Sequence, residues 1–307
     1  MWNRSLLALG LLALSTPFAY SQVRLEHKLR DGATHTQSVT STIDQTLTIA
    51  GMELDTKVET NAKTKATIGN RDATGNLRVQ EKVESLQINM NTQGGQYTFD
   101  SANPDNKGAS PLEMLRDVHK AMIKNVTTVV YDKSGKVQSV EIDQNLLGSL
   151  PEEVRQLVKS QLDPENLKKA ANQELERLPT EPVKKGDTWV RTENANFGAG
   201  QLMTFQTEYT YQGTIEKDGR TLDKVTSKIL SVMFSLAEDS PLPLKLKGSD
   251  LKATESESTL LFDREVGHFV ETSSNNRITG DIGFTANGMD LPSKLDLKLK
   301  TTSTNAK

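Results

Sequence analysis

The sequence predicts a mainly β protein of the α+β kind: long antiparallel strands in one or two curved, half-barrel-like sheets, with a central helical insert covering the apolar face. Three observations carry this expectation. From Val23 to about Asp100, and again from Trp189 onward, threonine and valine alternate with lysine and glutamate, and Gly or Asn punctuates the runs as tight turns do. Between these regions the apolar period changes to that of a helix. The 307-residue chain is only 35% hydrophobic and 5% aromatic, so apolar side chains suffice for one face of a sheet and little more.

The elements follow in order. The opening MWNRSLLALGLLALSTPFAYSQ has one basic residue, Arg4, an apolar run from Leu6 to Leu14, a breaker at Pro17, and small residues at Ala19 and Ser21. This predicts a secretory signal peptide over residues 1–21, cut before Gln22, because the run is far short of the roughly 20 residues that cross a bilayer. No later stretch reads as an integral membrane segment, and the absence of cysteine excludes a lipoprotein anchor, a disulfide and a thiolate metal site. The expectation is a soluble exported protein, periplasmic or extracellular.

Residues 22–148 read as an N-terminal β-rich half. Apolar positions alternate at Leu47 and Ile49, Leu54 and Val58, Val79 and Val83, and Leu86, Ile88 and Met90. One helix is expected near 110–124, where Ser110, Pro111 and Glu113 have the spacing of a capping box and Leu112, Leu115, Val118, His119 and Met122 form one stripe. Residues 149–181 read as a helical connector of two helices. Val154, Leu157, Val158 and Leu162 line the first; Asp163-Pro164 opens a second lined by Leu167, Ala170, Ala171, Leu175 and Leu178. Pro179 and Pro182 end it, and residues 182–307 form the C-terminal β-rich half.

Three pairs of segments echo one another. Residues 129–142 and 260–273 share an aromatic at Tyr131 or Phe262, Asp132 or Asp263, a cation at Lys133 or Arg264, and Gly135 or Gly267. Asp at the start of a short hairpin loop accepts backbone N–H groups and Gly supplies positive φ, so the likeness is one of turn chemistry. Residues 46–59 echo 283–296, and 66–85 echo 213–231, but in a different order along the two halves. Both chance likeness among amphipathic strands and two pseudo-equivalent half sheets fit this pattern.

Pro182, Val183, Gly186, Asp187 and Trp189 open the second half, and Phe262, Asp263 and Gly267 mark a late hairpin. With the leader, these strings resemble an uncharacterised family of secreted bacterial proteins known only as a domain of unknown function. The resemblance spans most of the chain after its leader and implies a β-rich extracytoplasmic fold; it implies no activity.

The composition argues against several classes. With 37 basic and 40 acidic residues the chain is weakly acidic and shows no clustered basic face, so nucleic acid is not an expected partner. His27 and His35 flank Gly32 without a third ligand and read as exposed strand histidines, not a zinc site. His119 reads as a half-buried ring on the helix stripe and His268 as solvated. No nucleophile elbow occurs, FGAGQLM lacks the third glycine of a dinucleotide loop, Glu255 and Glu257 read as a solvated face, and DSANPDNKG lacks the distal Glu of a calcium loop. No catalytic residue, metal or cofactor is expected.

What remains is a groove between sheet and helices, lined by residues such as Leu115, Met122 and Leu157, that receives an apolar ligand or a segment of an envelope protein. The leading expectation is therefore an exported, non-catalytic binding or carrier protein. The alternatives are a structural or adhesive envelope component acting through exposed sheet edges and, third, an enzyme of unfamiliar type. Oligomeric state is not legible.

Overall fold

The computed structural model describes residues 22–143, 145–148 and 150–306; the expected leader lies outside the described residues. Six strands precede the main helical region: β1 (Thr34–Ile49), β2 (Met52–Ile68), β3 (Leu77–Thr92), β4 (Gly95–Asp100), β5 (Val126–Tyr131) and β6 (Val137–Glu141). A 3-10 turn at Pro111–Met114 and helix α1 (Leu115–Lys124) separate β4 from β5, and α2 (Asn145–Gly148), α3 (Glu152–Val158) and α4 (Pro164–Glu176) follow β6. The chain then runs through β7 (Thr188–Gly198), β8 (Gln201–Lys217), β9 (Arg220–Leu236), β10 (Lys245–Asp263), β11 (His268–Ala286) and β12 (Met289–Ala306).

All twelve strands belong to one curved antiparallel sheet, where one or two sheets were expected, and it does not close. Its order is β6-β5-β3-β2-β1-β12-β11-β10-β9-β8-β7, with β4 also paired to β3. Two meanders are thus joined at a central seam, where β1 and β12 run in unbroken register from Thr36↔Ala306 to Ile49↔Ser293. At about 3.3 Å per residue the long strands extend for roughly 55 Å.

The echoes fall at meaningful places. The loops after β2 and β8, and the β5–β6 and β10–β11 hairpins, occupy corresponding positions in the two meanders. The third pair lies across the seam, its turns at Ala50-Gly51 and Asn287-Gly288 each having two successive positive φ angles. The turn chemistry holds in detail. Asp132 Oδ1 accepts N–H bonds from Ser134 at 2.7 Å and Lys136 at 3.1 Å, and Asp263 Oδ1 accepts one from Glu265 at 2.9 Å. Asp72 does the same for Thr74 and Asn76, at 2.8 and 3.0 Å, in a third copy of the motif that the sequence reading passed over.

Gly267 has a second role. A Cβ there would stand 2.3 Å from Lys28 Cβ, so glycine alone lets residues 25–29 cross this end of the sheet, where the Lys28 N–H donates to Gly267 O at 3.0 Å.

The helical insert forms where expected, with one local difference. Ser110 Oγ accepts from Leu112 N at 3.2 Å, but the Glu113 carboxylate turns away from Ser110 to take the Gly108 N–H and the Arg116 guanidinium, leaving half a capping box. Arg116, 1% exposed, also donates to Thr98 O and Pro104 O and lies over the Tyr97 and Phe99 rings, pinning α1 to β4. Asp163 caps α4 as expected, accepting from Asn166 N at 3.0 Å.

The insert covers the apolar face at two places. α1 packs on the β3–β4 region, and α4 runs in the gap between the two outer strands, β6 and β7. Leu167, Ala171 and Leu175 pack on Val129, Val137 and Val140. Two adjacent carboxamides reach to opposite sides: Asn172 bonds both N–H and C=O of Val137 on β6, at 3.0 and 3.2 Å, and Gln173 bonds both groups of Asn194 on β7, at 2.7 and 3.2 Å. Each side chain supplies the donor and acceptor that a neighbouring strand would otherwise present.

Candidate functional site

The inner face of the sheet changes chemistry along its length. On β12 the positions of one parity read Leu295, Leu297, Leu299, Thr301, Ser303, Asn305, while Lys294, Lys298 and Lys300 of the other parity are exposed. At one end the leucines join Met203, Phe205, Phe234, Leu251, Ile278, Ile282 and Phe284 in a packed core. At the other end Leu25, Leu178 and Val183 close over Tyr209, Tyr211, Val225, Leu260, Phe262 and Phe269 in a second.

Between these two cores the face carries hydroxyls. Strand register places Ser41, Thr301, Ser274, Ser258, Ser227 and Tyr209 in one row, each directly opposite the next, across β1, β12, β11, β10, β9 and β8. Thr60 of β2, opposite Ser41, continues it. Thr272 and Ser303 share a hydrogen bond of 3.0 Å on one side of the row, and Ser256 donates to Asn276 at 2.8 Å on the other.

Two adjoining cavities of about 380 and 510 Å³ lie along this band, between the sheet and α4, and share Arg177, Thr272 and Thr301 in their walls. The first is lined by the hydroxyl row together with Ile43, Phe205, Ile229, Leu260 and Leu299. The second is lined by His27, His35, His268, Glu81, Tyr131 and Glu174, among others.

Arg177, just past α4, stands where the cavities meet. Its guanidinium donates to Glu193 Oε1 at 2.8 Å and approaches Glu174 Oε2 at 2.6 Å, and Tyr209 OH donates to the same Glu193 oxygen at 2.8 Å. Burial opposes both charges, but each supports the other: Glu174 and Glu193 hold Arg177 protonated, and Arg177 with Tyr209 keeps the Glu193 carboxyl below its ordinary range. Trp189 stacks on Tyr209 at 5.7 Å and donates through Nε1 to Arg177 O, tying this cluster to β7.

The histidines differ from expectation. His27 is not an exposed strand residue but is enclosed beside Phe262 and Phe269, and burial lowers its pKa to about 4. His35 meets His268, not His27, with rings 4.7 Å apart, and its pKa is lowered by burial and by the charge of Arg30. Among the described residues no three acidic or histidine side chains are grouped to hold a metal ion. His119 is the half-buried helix residue expected, hydrogen-bonded to Tyr97 OH at 2.7 Å and lowered to about 4 by burial.

Of the groove residues named from the sequence, Leu115 packs toward Leu86, Ile88, Tyr97 and Phe99; Leu157 packs with Val118, Val154 and Val158; Met122 is 39% exposed. None is in the walls of the two cavities, which face α4. The hydroxyl row, Arg177, Glu193 and Tyr209 were missed. A signal was present in β12, where leucine yields to threonine and serine at constant parity.

Residues 74–232, over half of the chain, match the model of a "Family of unknown function (DUF6263)". A search of curated proteins found no match. Among solved structures, lipovitellin aligns at 10% identity and TM-score 0.44, covering 91% of this chain, which spans about a quarter (26%) of the lipovitellin chain. DynF from the dynemicin pathway of Micromonospora chersina aligns at 7% identity and TM-score 0.21, covering 92% of this chain and 85% of its own. An outer membrane channel from Pseudomonas putida F1 aligns at 8% identity and TM-score 0.24, covering 95% and 99%. These scores are too low to carry function. No helix among the described residues is long and apolar enough to cross a membrane.

Proposed function

From the premise that the chain belongs to this family of unknown function, we propose that it is an exported, non-catalytic binding protein that carries a ligand with apolar parts in the trough beneath α4. The observation that carries the reading is the pair of adjoining cavities, held open between two packed cores and roofed by a single helix. Their sizes fall within the range of small-molecule sites, roughly 300–1,000 Å³. Export is supported by the pattern of Arg4, Leu6–Leu14, Ala19 and Ser21. A non-catalytic role is supported by the pairing of Arg177, Glu193 and Tyr209 with one another, which commits these groups to holding α4. Pairing through sheet edges has less support, because α4 already engages β6 at Val137 and β7 at Asn194.

The test is native mass spectrometry and solvent extraction of the purified protein, beside Ser258→Trp and Ser274→Trp variants that fill the trough. The expected result is a co-purifying apolar or amphipathic molecule in the parent and none in variants that retain the parent's circular dichroism. A clean extract, with no binding of added lipid, would sink the reading.

A further inference from the structure

The trough's walls specify more than an apolar ligand, and the following step rests on the binding reading above. Within the trough the hydroxyl row crosses six adjacent strands, from Ser41 to Tyr209, which at about 4.8 Å per strand is a polar track of roughly 24 Å. Apolar side chains border it within the same cavity: Ile43, Leu299, Ile229, Phe205 and Leu260. Such walls match a molecule that is apolar on one part and hydrogen-bonding on another.

The buried polar atoms sharpen this. Thr207 Oγ1, on a residue 4% exposed, His27 Nε2 and His35 Nδ1 make no well-formed hydrogen bond, although the Glu193 carboxylate lies near the first and the Glu174 and Gly267 backbone near the His27 ring. All three residues line the two cavities. A buried polar atom left unmatched costs about 1–3 kcal/mol, so a ligand that supplies partners gains what the free protein forgoes.

The charges point the same way. Arg177 is committed to Glu174 and Glu193, and Lys28 Nζ donates to Arg264 O at 2.7 Å. Burial favours the neutral forms of Glu81, His27 and His35. An anionic head would therefore find its cations engaged and carboxylates beside them, a desolvation cost without an answering partner.

We infer that the trough selects an amphipath whose polar part is uncharged and rich in hydrogen-bonding oxygen, a hydroxyl-, ester- or glycosyl-bearing lipid, over one with a carboxylate or phosphate head. In the exported protein, cut before Gln22, Trp189, stacked on the trough residue Tyr209, is the sole indole and the fluorescent reporter. Titrations with 1-oleoylglycerol, oleate and an oleoyl lysophosphatidylglycerol compare one acyl chain with three heads, with native mass spectrometry confirming stoichiometry. The expected result is binding of oleoylglycerol at least roughly tenfold tighter than either anion. Thr301→Val and Ser274→Ala, which keep volume and remove hydroxyls, are expected to erase that preference at unchanged melting temperature. Equal or tighter binding of either anion overturns this inference and leaves the carrier reading standing; binding of none of the three overturns both.

Discussion

The sheet is joined twice, and by different means. At the seam, every residue of β1 from Thr36 to Ile49 faces a partner on β12, and Ile43 and Leu47 of β1 pack against the core in which Leu295 and Leu297 of β12 are buried. At the gap, β6 and β7 never meet; α4 lies between them, holding β6 by Asn172 and apolar contacts and β7 by Gln173 with the Arg177–Glu193 pair and the Trp189 bond to Arg177 O at its end. A ladder is cooperative, since each pair positions the next, whereas a few separate side-chain bonds can let go while the rest of the sheet stays intact. The seam is therefore the rigid joint and α4 the separable one, and the cavities lie directly under the separable joint.

The largest effect that would test this contrast is at the seam. Leu297, 1% exposed on β12, is expected on replacement by alanine to lose about 3 kcal/mol of stability in urea unfolding. A loss below about 1 kcal/mol would show that the seam does not anchor the fold. Next comes the double variant Asn172→Leu with Gln173→Leu, expected to cost about 1–2 kcal/mol. Hydrogen exchange should quicken at the Val137 and Asn194 amides while amides of the seam keep their protection; uniform loss would mean that the two joints open together.

The smallest effect within the neutral range is that of pH. His27 and His119 are held well below the ordinary value of 6.5, each at about 4, because burial disfavours their charged forms. The unfolded chain therefore binds protons first as pH falls. Stability contributed by the neutral rings should be complete above about pH 6.5 and decline progressively toward pH 4, and His27→Gln should flatten part of that slope. A urea midpoint that rises on acidification from pH 6.5 to 5 would contradict the assigned burial.

What was legible in the sequence was local. The Asp-to-Gly turns at 132–135 and 263–267, the Asp163 cap and the alternation in β1 to β3 depend on residues a few positions apart, and they form as expected. The site was not local. The hydroxyl row exists only because register brings Ser41, Thr301, Ser274 and Ser258 side by side, and no periodicity within one strand reports the register of its neighbours. Met122 shows the same limit on a helix. It falls on the apolar stripe with Val118, but α1 meets α3 through Val118 and Ala121 and leaves Met122 toward solvent. Arg116 was hidden for another reason, because nothing in its neighbours announces that Thr98 O, Pro104 O and two aromatic rings will enclose it.

The seam also governs how the chain reaches its native state. β1 can find β2 at once, but its other edge stays unpaired until β12 has been made, so Thr36 must wait for Ala306. Contacts this distant in sequence make for slow folding and leave sticky strand edges open meanwhile. The order of assembly thus runs from two meanders zipped separately to a final annealing between them, and a chaperone that shields the open side of β1 would act at the slowest step.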